Sequence, residues 1–310
     1  MLDKNDEHYR VIHAEEFSAS LQEFQFPELE LLPKSTSVIE AISIVRKSRV
    51  SVIAVGEKDV EGIVTEDDFL KLPYSDPSSI EGIQLESIMK KSPSILEDSA
   101  TILDAIIHMG EKDLKHLLIR SGGKIKVVLL KDLLSFTKSR FKNDLENFDE
   151  KVKWSKDGVY LQMRTHFDEL SNDEPELTAH VFETPLRKVM FNESIYCDVS
   201  DNLSDALTLM RNGATSTLVV MEYETELKGV ITARDFLNKA YLDLDFQSVK
   251  VSEIMTPAPH KLLEQDVLAV AIKNMAKFNY RNVIICNQVG YPISTVSILE
   301  ILRFICSKIS

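Results

Sequence analysis

Two stretches of this chain repeat each other, and that repetition limits its fold more than any other feature. Gly62-Ile63-Val64-Thr65-Glu66-Asp67-Asp68-Phe69-Leu70 returns as Gly229-Val230-Ile231-Thr232-Ala233-Arg234-Asp235-Phe236-Leu237, the two glycines standing 167 positions apart. Each reads as a buried strand running into a helix. A threonine sits at the N-cap and an aspartate follows three residues later, the spacing of a capping box. A second marker, Ile88-Met89 and Ile254-Met255, recurs at an offset of 166. Two independent markers at offsets that differ by a single residue mean that the chain contains itself twice.

A finer repeat lies inside each half. In the first copy Val38, Ala41, Ile42 and Val45 share one helical face, and Arg46, Lys47 and Arg49 complement the dipole at the helix end. Residues 50–55 and 60–64 read as strands around a turn at 57–59, and 65–72 as a closing helix. The helix–strand–turn–strand–helix unit returns through Ile102 to Met109 and residues 117–134. It returns again through Leu203 to Met210, Gly213 and the Gly229 stretch, and finally through 270–275, 283–286 and 293–305. An alanine stands four residues before Val45, Met109, Met210 and Met275, on the same face, as core packing asks.

These units divide the chain into an N-terminal extension (1–25), a first pair of repeats (26–78 and 83–140), an acidic linker (141–183) and a second pair (184–244 and 249–310). The extension is expected to carry a short helix packed on the first domain. Within the linker, residues 142–154 suggest a polar helix and 159–164 a short strand or helix, around the single tryptophan, Trp154. A solvated acidic face and a partner-binding insertion are both open readings of this segment.

Composition adds bounds. A hydrophobic fraction of 44% over 310 residues is enough for two cores. Cys197, Cys286 and Cys306 lack metal-ligand spacing and read as reduced, buried thiols. A formal charge of −13 argues against a nucleic-acid or anionic-membrane surface, though not against a small anion in a local pocket. The start is read as lacking a signal peptide, and no apolar stretch reaches membrane-spanning length. The expectation is a soluble, cytoplasmic protein.

The fourfold unit, the Ile-Met-Thr-Pro opening at Ile254-Met255-Thr256-Pro257 and the Gly-Val-Ile-Thr-Ala-Arg-Asp ending together resemble the cystathionine-β-synthase (CBS) domain family, over about residues 26–140 and 184–310. The resemblance implies an α/β (α+β) fold of four CBS motifs paired as two pseudo-twofold modules. Such modules often bind adenine nucleotides, and four motifs in one chain are similar to the γ-subunit family of AMP-activated protein kinase. Carried over residue by residue, the ribose-binding aspartate falls on Asp68 and Asp235 and its threonine on Thr65 and Thr232. A carboxylate can accept from a ribose diol, and phosphate is favoured by N–H donors at a helix start. The bland reading is that these residues are only good N-terminal caps.

Repeats 2 and 4 depart from the pattern. Lys126-Val127-Val128-Leu129-Leu130-Lys131-Asp132 keeps only the aspartate, Asp132. In repeat 4, Ser294 is taken as the hydroxyl and Ser297 as the replacement for the aspartate. Yet Lys115 and His116 precede the first hairpin strand of repeat 2 and Arg281 that of repeat 4, where repeats 1 and 3 have Ser51 and Ser216. The expectation is one nucleotide site per module, Thr65 and Asp68 with Lys115 and His116, and Thr232 and Asp235 with Arg281. Arg234 is a further phosphate ligand or a solvated side chain. Asp132 and Ser294 are weaker candidates.

The leading functional reading is a non-catalytic regulatory protein that senses AMP, ADP or ATP and passes occupancy to a protein partner or a second copy of itself. The alternatives are a ligand-free CBS scaffold or a binder of another adenosyl ligand such as S-adenosylmethionine. No histidine falls in a metal or nucleophile motif, so no catalytic residue, metal or required cofactor is assigned.

Overall fold

The computed structural model describes residues 10–48, 50–151, 179–189 and 192–308. Expectations that rest on Arg49, Trp154 and residues 159–164 lie outside them.

All four repeats are present. Their leading helices are Val38–Lys47, Ile102–Glu111, Leu203–Asn212 and Leu268–Phe278. Ser37, Thr101 and Asn202 each accept the backbone N–H three residues on, at 3.1, 3.1 and 2.9 Å, so the first three helices start on a side-chain cap. Each buries the stripe that the spacing predicts, Val38, Ala41, Ile42 and Val45 in the first and Leu203, Ala206, Leu207 and Met210 in the third.

A hairpin follows each leading helix: Val52–Val55 with Gly62–Thr65, His116–Ser121 with Lys124–Leu129, Thr217–Glu222 with Glu226–Thr232, and Asn282–Cys286 with Pro292–Ser297. A short strand ahead of the helix lies parallel to the first hairpin strand: Leu31–Leu32, Ile95–Glu97, Tyr196–Asp198 and Lys261–Leu263. The sequence reading did not resolve this strand, because two or three residues are too few to show a period.

Each sheet is finished by the partner repeat of its own module. Lys90–Lys91, which opens repeat 2, pairs with Gly62–Thr65 of repeat 1, and Thr256–Pro257, which opens repeat 4, pairs with Glu226–Thr232 of repeat 3. In return Asn192–Glu193 pairs with Pro292–Ser297, and Glu28 bridges to Lys126. The helix starts are exchanged in the same way, through bridges Ser37–Gln84, Ser20–Thr101, Asn202–Lys250 and Pro185–Val267. The N-terminal segment therefore packs on repeat 2, burying Phe17 and Leu21 beside Ile102 and Phe141.

Within a module the two sheets meet through their inner faces, as where Val52, Ala54 and Ile63 pack on Leu118, Val127 and Leu129. Between modules the helices meet. Those of repeats 1 and 3 share one core, and those of repeats 2 and 4 share another. The first contact is reciprocal. Arg46 donates to the carbonyls of Leu237 (2.6 Å) and Tyr241, and Arg211 to those of Leu70 (2.6 Å) and Leu72. These carbonyls are free because the closing helices are short, Glu66–Phe69 ahead of Pro73, and Ala233–Asp235 running into a π turn at Phe236–Ala240. Repeats 2 and 4 have full closing helices, Leu130–Arg140 and Ile298–Cys306. The closing helix expected over 65–72 is thus cut to one turn.

The two sequence markers touch. A Cβ on Gly62 would lie 2.5 Å from the Met89 sulfur, and one on Gly229 2.6 Å from the Met255 sulfur. At Gly229 the Thr256 carbonyl oxygen would also be 2.9 Å away, against 3.2 Å from Lys90 O at Gly62. A methionine can swing aside, whereas a paired backbone cannot. Gly229→Ala is therefore expected to destabilise by about 1–3 kcal/mol and Gly62→Ala by less. Adding Met89→Ala should recover more of the Gly62→Ala loss than adding Met255→Ala recovers of the Gly229→Ala loss. Urea denaturation of the four variants measures both differences.

Candidate functional site

The strand-to-helix junctions of repeats 1 and 3 share one geometry. The Asp68 carboxylate accepts the Thr65 backbone N–H (2.9 Å) and hydroxyl (2.8 Å) on one oxygen, and its other oxygen accepts from Lys71 at 3.0 Å with Lys90 at 3.6 Å. The Asp235 carboxylate accepts from Thr232 N (2.9 Å) and Oγ1 (2.6 Å), and its free side meets Lys239 at 2.7 Å. Both aspartates are buried. The carboxylate locks the threonine with one oxygen and presents the other to a cation. The helices that follow span four and three residues before they tighten or widen, so their dipoles add little to anion binding, contrary to the expectation from a helix start.

Strand register corrects one assignment in repeat 4. Thr65, Leu129, Thr232 and Ser297 stand opposite Val52, His116, Thr217 and Asn282, the equivalent cross-strand pair in each repeat. The counterpart of Thr65 is thus Ser297, not Ser294, and the counterpart of Asp68 is Glu300. Ser294 is buried in mid-strand opposite Ile285. Ser297 and Glu300 form the same box, with Ser297 N donating to Glu300 Oε2 at 2.6 Å and Glu300 N to Ser297 Oγ at 3.2 Å. Repeat 4 keeps both hydroxyl and carboxylate. Repeat 2 has Leu129 as cap, and Asp132 accepts only the Leu129 N–H, at 3.2 Å. Burial raises the Asp132 carboxyl above the usual carboxylate range.

At the junction of all four repeats the basic side chains converge. Lys115 of repeat 2 donates to Asp67 of repeat 1 at 2.7 Å and to Ser216 of repeat 3 at 2.8 Å. Arg281 of repeat 4 reaches Glu66 of repeat 1 at 2.6 Å. Arg281 was expected beside Thr232 and Asp235, but its ion pair crosses to the other module. Asn282 donates to Thr217 at 3.0 Å just beside it. His116 lies buried in the same place and is pushed down to about 3, first by burial and then by Arg281, with Lys115 and Arg234 adding to Arg281 and Asp67 opposing. Glu66 and Asp67, which sequence reading passed over, supply the acids of this centre. Their signal was in the sequence: repeat 3 has Ala233 and Arg234 at the same two places.

A cavity of about 250 Å³ opens between the modules where repeats 2 and 4 meet, lined by Lys131, Asp132, Ser135, Asn279, Tyr280 and Arg281. Ala276 follows Met275 as Arg211 follows Met210, so the arginine that fills this space between repeats 1 and 3 is missing here. The Tyr280 hydroxyl is buried without a hydrogen-bond partner, and burial pushes it up to about 12. Among the described residues no cluster of histidine, cysteine or acids has metal-holding geometry, and no helix is long and apolar enough to cross a membrane.

With this geometry in hand, the likeness to known proteins is specific. The CBS domain family model matches residues 24–75 and 186–241, which are repeats 1 and 3. Two stretches of the chain thus match CBS domains, and the chain has a mixed α/β fold. A Methanocaldococcus jannaschii protein, described as a proposed archaeal homologue of the γ subunit of AMP-activated protein kinase, superposes with a TM-score of 0.66 at 14% identity, over 94% of this chain and 99% of that one. A conserved Pyrococcus horikoshii protein superposes with a TM-score of 0.52 at 14% identity, over 91% of this chain and 96% of that one. No curated protein sequence matches the chain.

The His116 shift has a definite sign. Above pH 6.5 the imidazole is neutral both folded and unfolded, so it contributes nothing. Between pH 6.5 and about 3 the unfolded chain takes up a proton that the folded chain refuses. Stability therefore drops as the pH is lowered through that window, by up to about 1.4 kcal/mol per unit. His116→Gln is expected to flatten the profile by that amount, measured by urea denaturation between pH 7.5 and 5.5.

Proposed function

We propose that this protein is a regulatory, non-catalytic sensor that binds an adenine nucleotide at the junction of its four repeats and passes occupancy to a protein partner or a second copy. The observation that carries the reading is the meeting of Lys115, His116 and Arg281, from repeats 2 and 4, beside the Thr65–Asp68 junction of repeat 1. Cations suit phosphate oxygens, and the outward oxygen of Asp68 or Asp235, now facing a lysine, suits a ribose hydroxyl. Thr65, Asp68, Lys115 and Arg281 are assigned to one ligand and Thr232, Arg234 and Asp235 to a second. Asp132 beside the cavity is a further position. The likeness in fold to the Methanocaldococcus jannaschii protein supports the regulatory class.

The phosphate of the first ligand would meet Lys115 from one module and Arg281 from the other. A bound nucleotide alters how the modules pack only so far as it binds one packing better than another. This is a physical route from occupancy to a partner.

One observation favours the scaffold reading. Lys115 and Arg281 already have acidic partners, so the centre is closed without a ligand. Thermal denaturation with AMP, ADP, ATP and S-adenosylmethionine separates the two. A nucleotide at a hundred times its Kd should stabilise by about 2.7 kcal/mol, a rise of a few degrees at ~2 °C or more per kcal/mol. No rise with any of the four leaves the scaffold. Asp68→Ala and Asp235→Ala are each expected to weaken binding by about 1.5–3 kcal/mol, the worth of a charged hydrogen bond. Unchanged affinity in both would remove the junctions from the site.

A further inference from the structure

The first residue of the closing helix is Glu66 in repeat 1, Leu130 in repeat 2, Ala233 in repeat 3 and Ile298 in repeat 4. All four are buried, with exposures of 2%, 4%, 1% and 1%. Three repeats place an apolar side chain there, as the packing asks. A carboxylate in such a place is costly unless its charge is met.

It is met from the other module. Arg281 occupies a position held by Ser51 in repeat 1 and Ser216 in repeat 3, and its guanidinium reaches Glu66 Oε1 at 2.6 Å. The residue that breaks the repeat pattern in repeat 1 thus touches one that breaks it in repeat 4. The second oxygen, Glu66 Oε2, is buried and has no hydrogen-bond partner. One oxygen of the carboxylate holds the arginine, and the other is left without a hydrogen-bond donor.

We propose that Glu66 is the residue that sets the ligand's charge, holding Arg281 as a built-in counter-anion so that the centre takes an adenosyl ligand with one phosphate in preference to a triphosphate. The inference rests on the nucleotide reading of the centre and deepens it. The charged groups that act on His116 include Arg281, Lys115 and Arg234 against Asp67, with Glu66 held by Arg281. His116 itself stays neutral at ordinary pH. An AMP phosphate approaching Arg281 must displace a carboxylate already bonded to it. Each further phosphate then faces the Oε2 charge, and like charges at short range in a buried site repel strongly. Adenosine does not meet this opposition, since it brings no charge to Arg281.

Calorimetric titration of the wild-type chain, Glu66→Gln and Glu66→Leu with adenosine, AMP and ATP tests this. Glutamine keeps the shape and an acceptor for Arg281, and leucine is the residue of repeat 2, so at least one variant should keep the fold. The expected result is AMP affinity about tenfold higher in the variants, a larger gain for ATP and no change for adenosine. Equal or lower AMP affinity in both variants, or an equal gain for adenosine, would overturn the proposal. Should no variant bind any nucleotide, the sensor reading fails, and inorganic tripolyphosphate at fixed ionic strength still decides about Glu66. A larger thermal stabilisation of Glu66→Gln than of the wild type upholds its role as counter-anion, and equal stabilisation overturns it.

Discussion

No repeat in this chain can finish its own sheet, and that exchange is what the rest of the structure depends on. The segment that opens one repeat pairs with the last strand of its partner, and it also bridges the residue that caps the partner's leading helix. The exchange places Met89 and Met255 over Gly62 and Gly229. It commits the two repeats of a module to each other, because separating them would bare unpaired strand edges and unbridged helix starts together. With the sheets committed face to face, the helices have only the other module left to cover.

The two ways of covering them differ physically. Between repeats 1 and 3 the closing helices stop early, and arginines from the opposite side take up the freed carbonyls around an aromatic cluster of Tyr74, Tyr241, Phe236 and Phe246. Between repeats 2 and 4 the helices run on and meet through aliphatic faces, with Ile301, Leu302 and Ile305 fully buried beside Leu133 and Leu134. The polar interface is fixed by directed hydrogen bonds. The aliphatic one has no such direction and contains the cavity. The ion pairs from Glu66 and Asp67 tie the two halves together where all four repeats meet.

The fold was legible because its period is long and its markers are chemically distinct. The glycine, the threonine-to-aspartate spacing and the alanine-to-methionine helix face each have a local cause, and a local cause appears in the local sequence. Repeat 4 was misread by three residues for an equally physical reason. Its strand, Pro292–Ser297, alternates apolar residues with Ser294, Thr295 and Ser297, so several hydroxyls compete as the cap. Its box uses Glu300, one methylene longer than aspartate but able to reach the same N–H. The partner of Arg281 was out of reach altogether, since Glu66 is 215 positions away in the other module and no periodicity carries that contact. The acids at Glu66 and Asp67 read as a helix start until the fold showed what they face.

The hold of residues 12–29 on repeat 2 bears on how the chain comes off the ribosome. Ser20 must wait for Thr101, and Leu29 for Ile125, before either segment has its backbone partner. Residues 31–91 hold all four strands of the repeat 1 sheet, but residues 12–29 lack their backbone partners until Thr101 and Ile125 have been made. Chains that grow from one end fold as far as their contacts allow. Here the module closes only once repeat 2 is in place, and residues 12–29 are among the last pieces of it to find their partners.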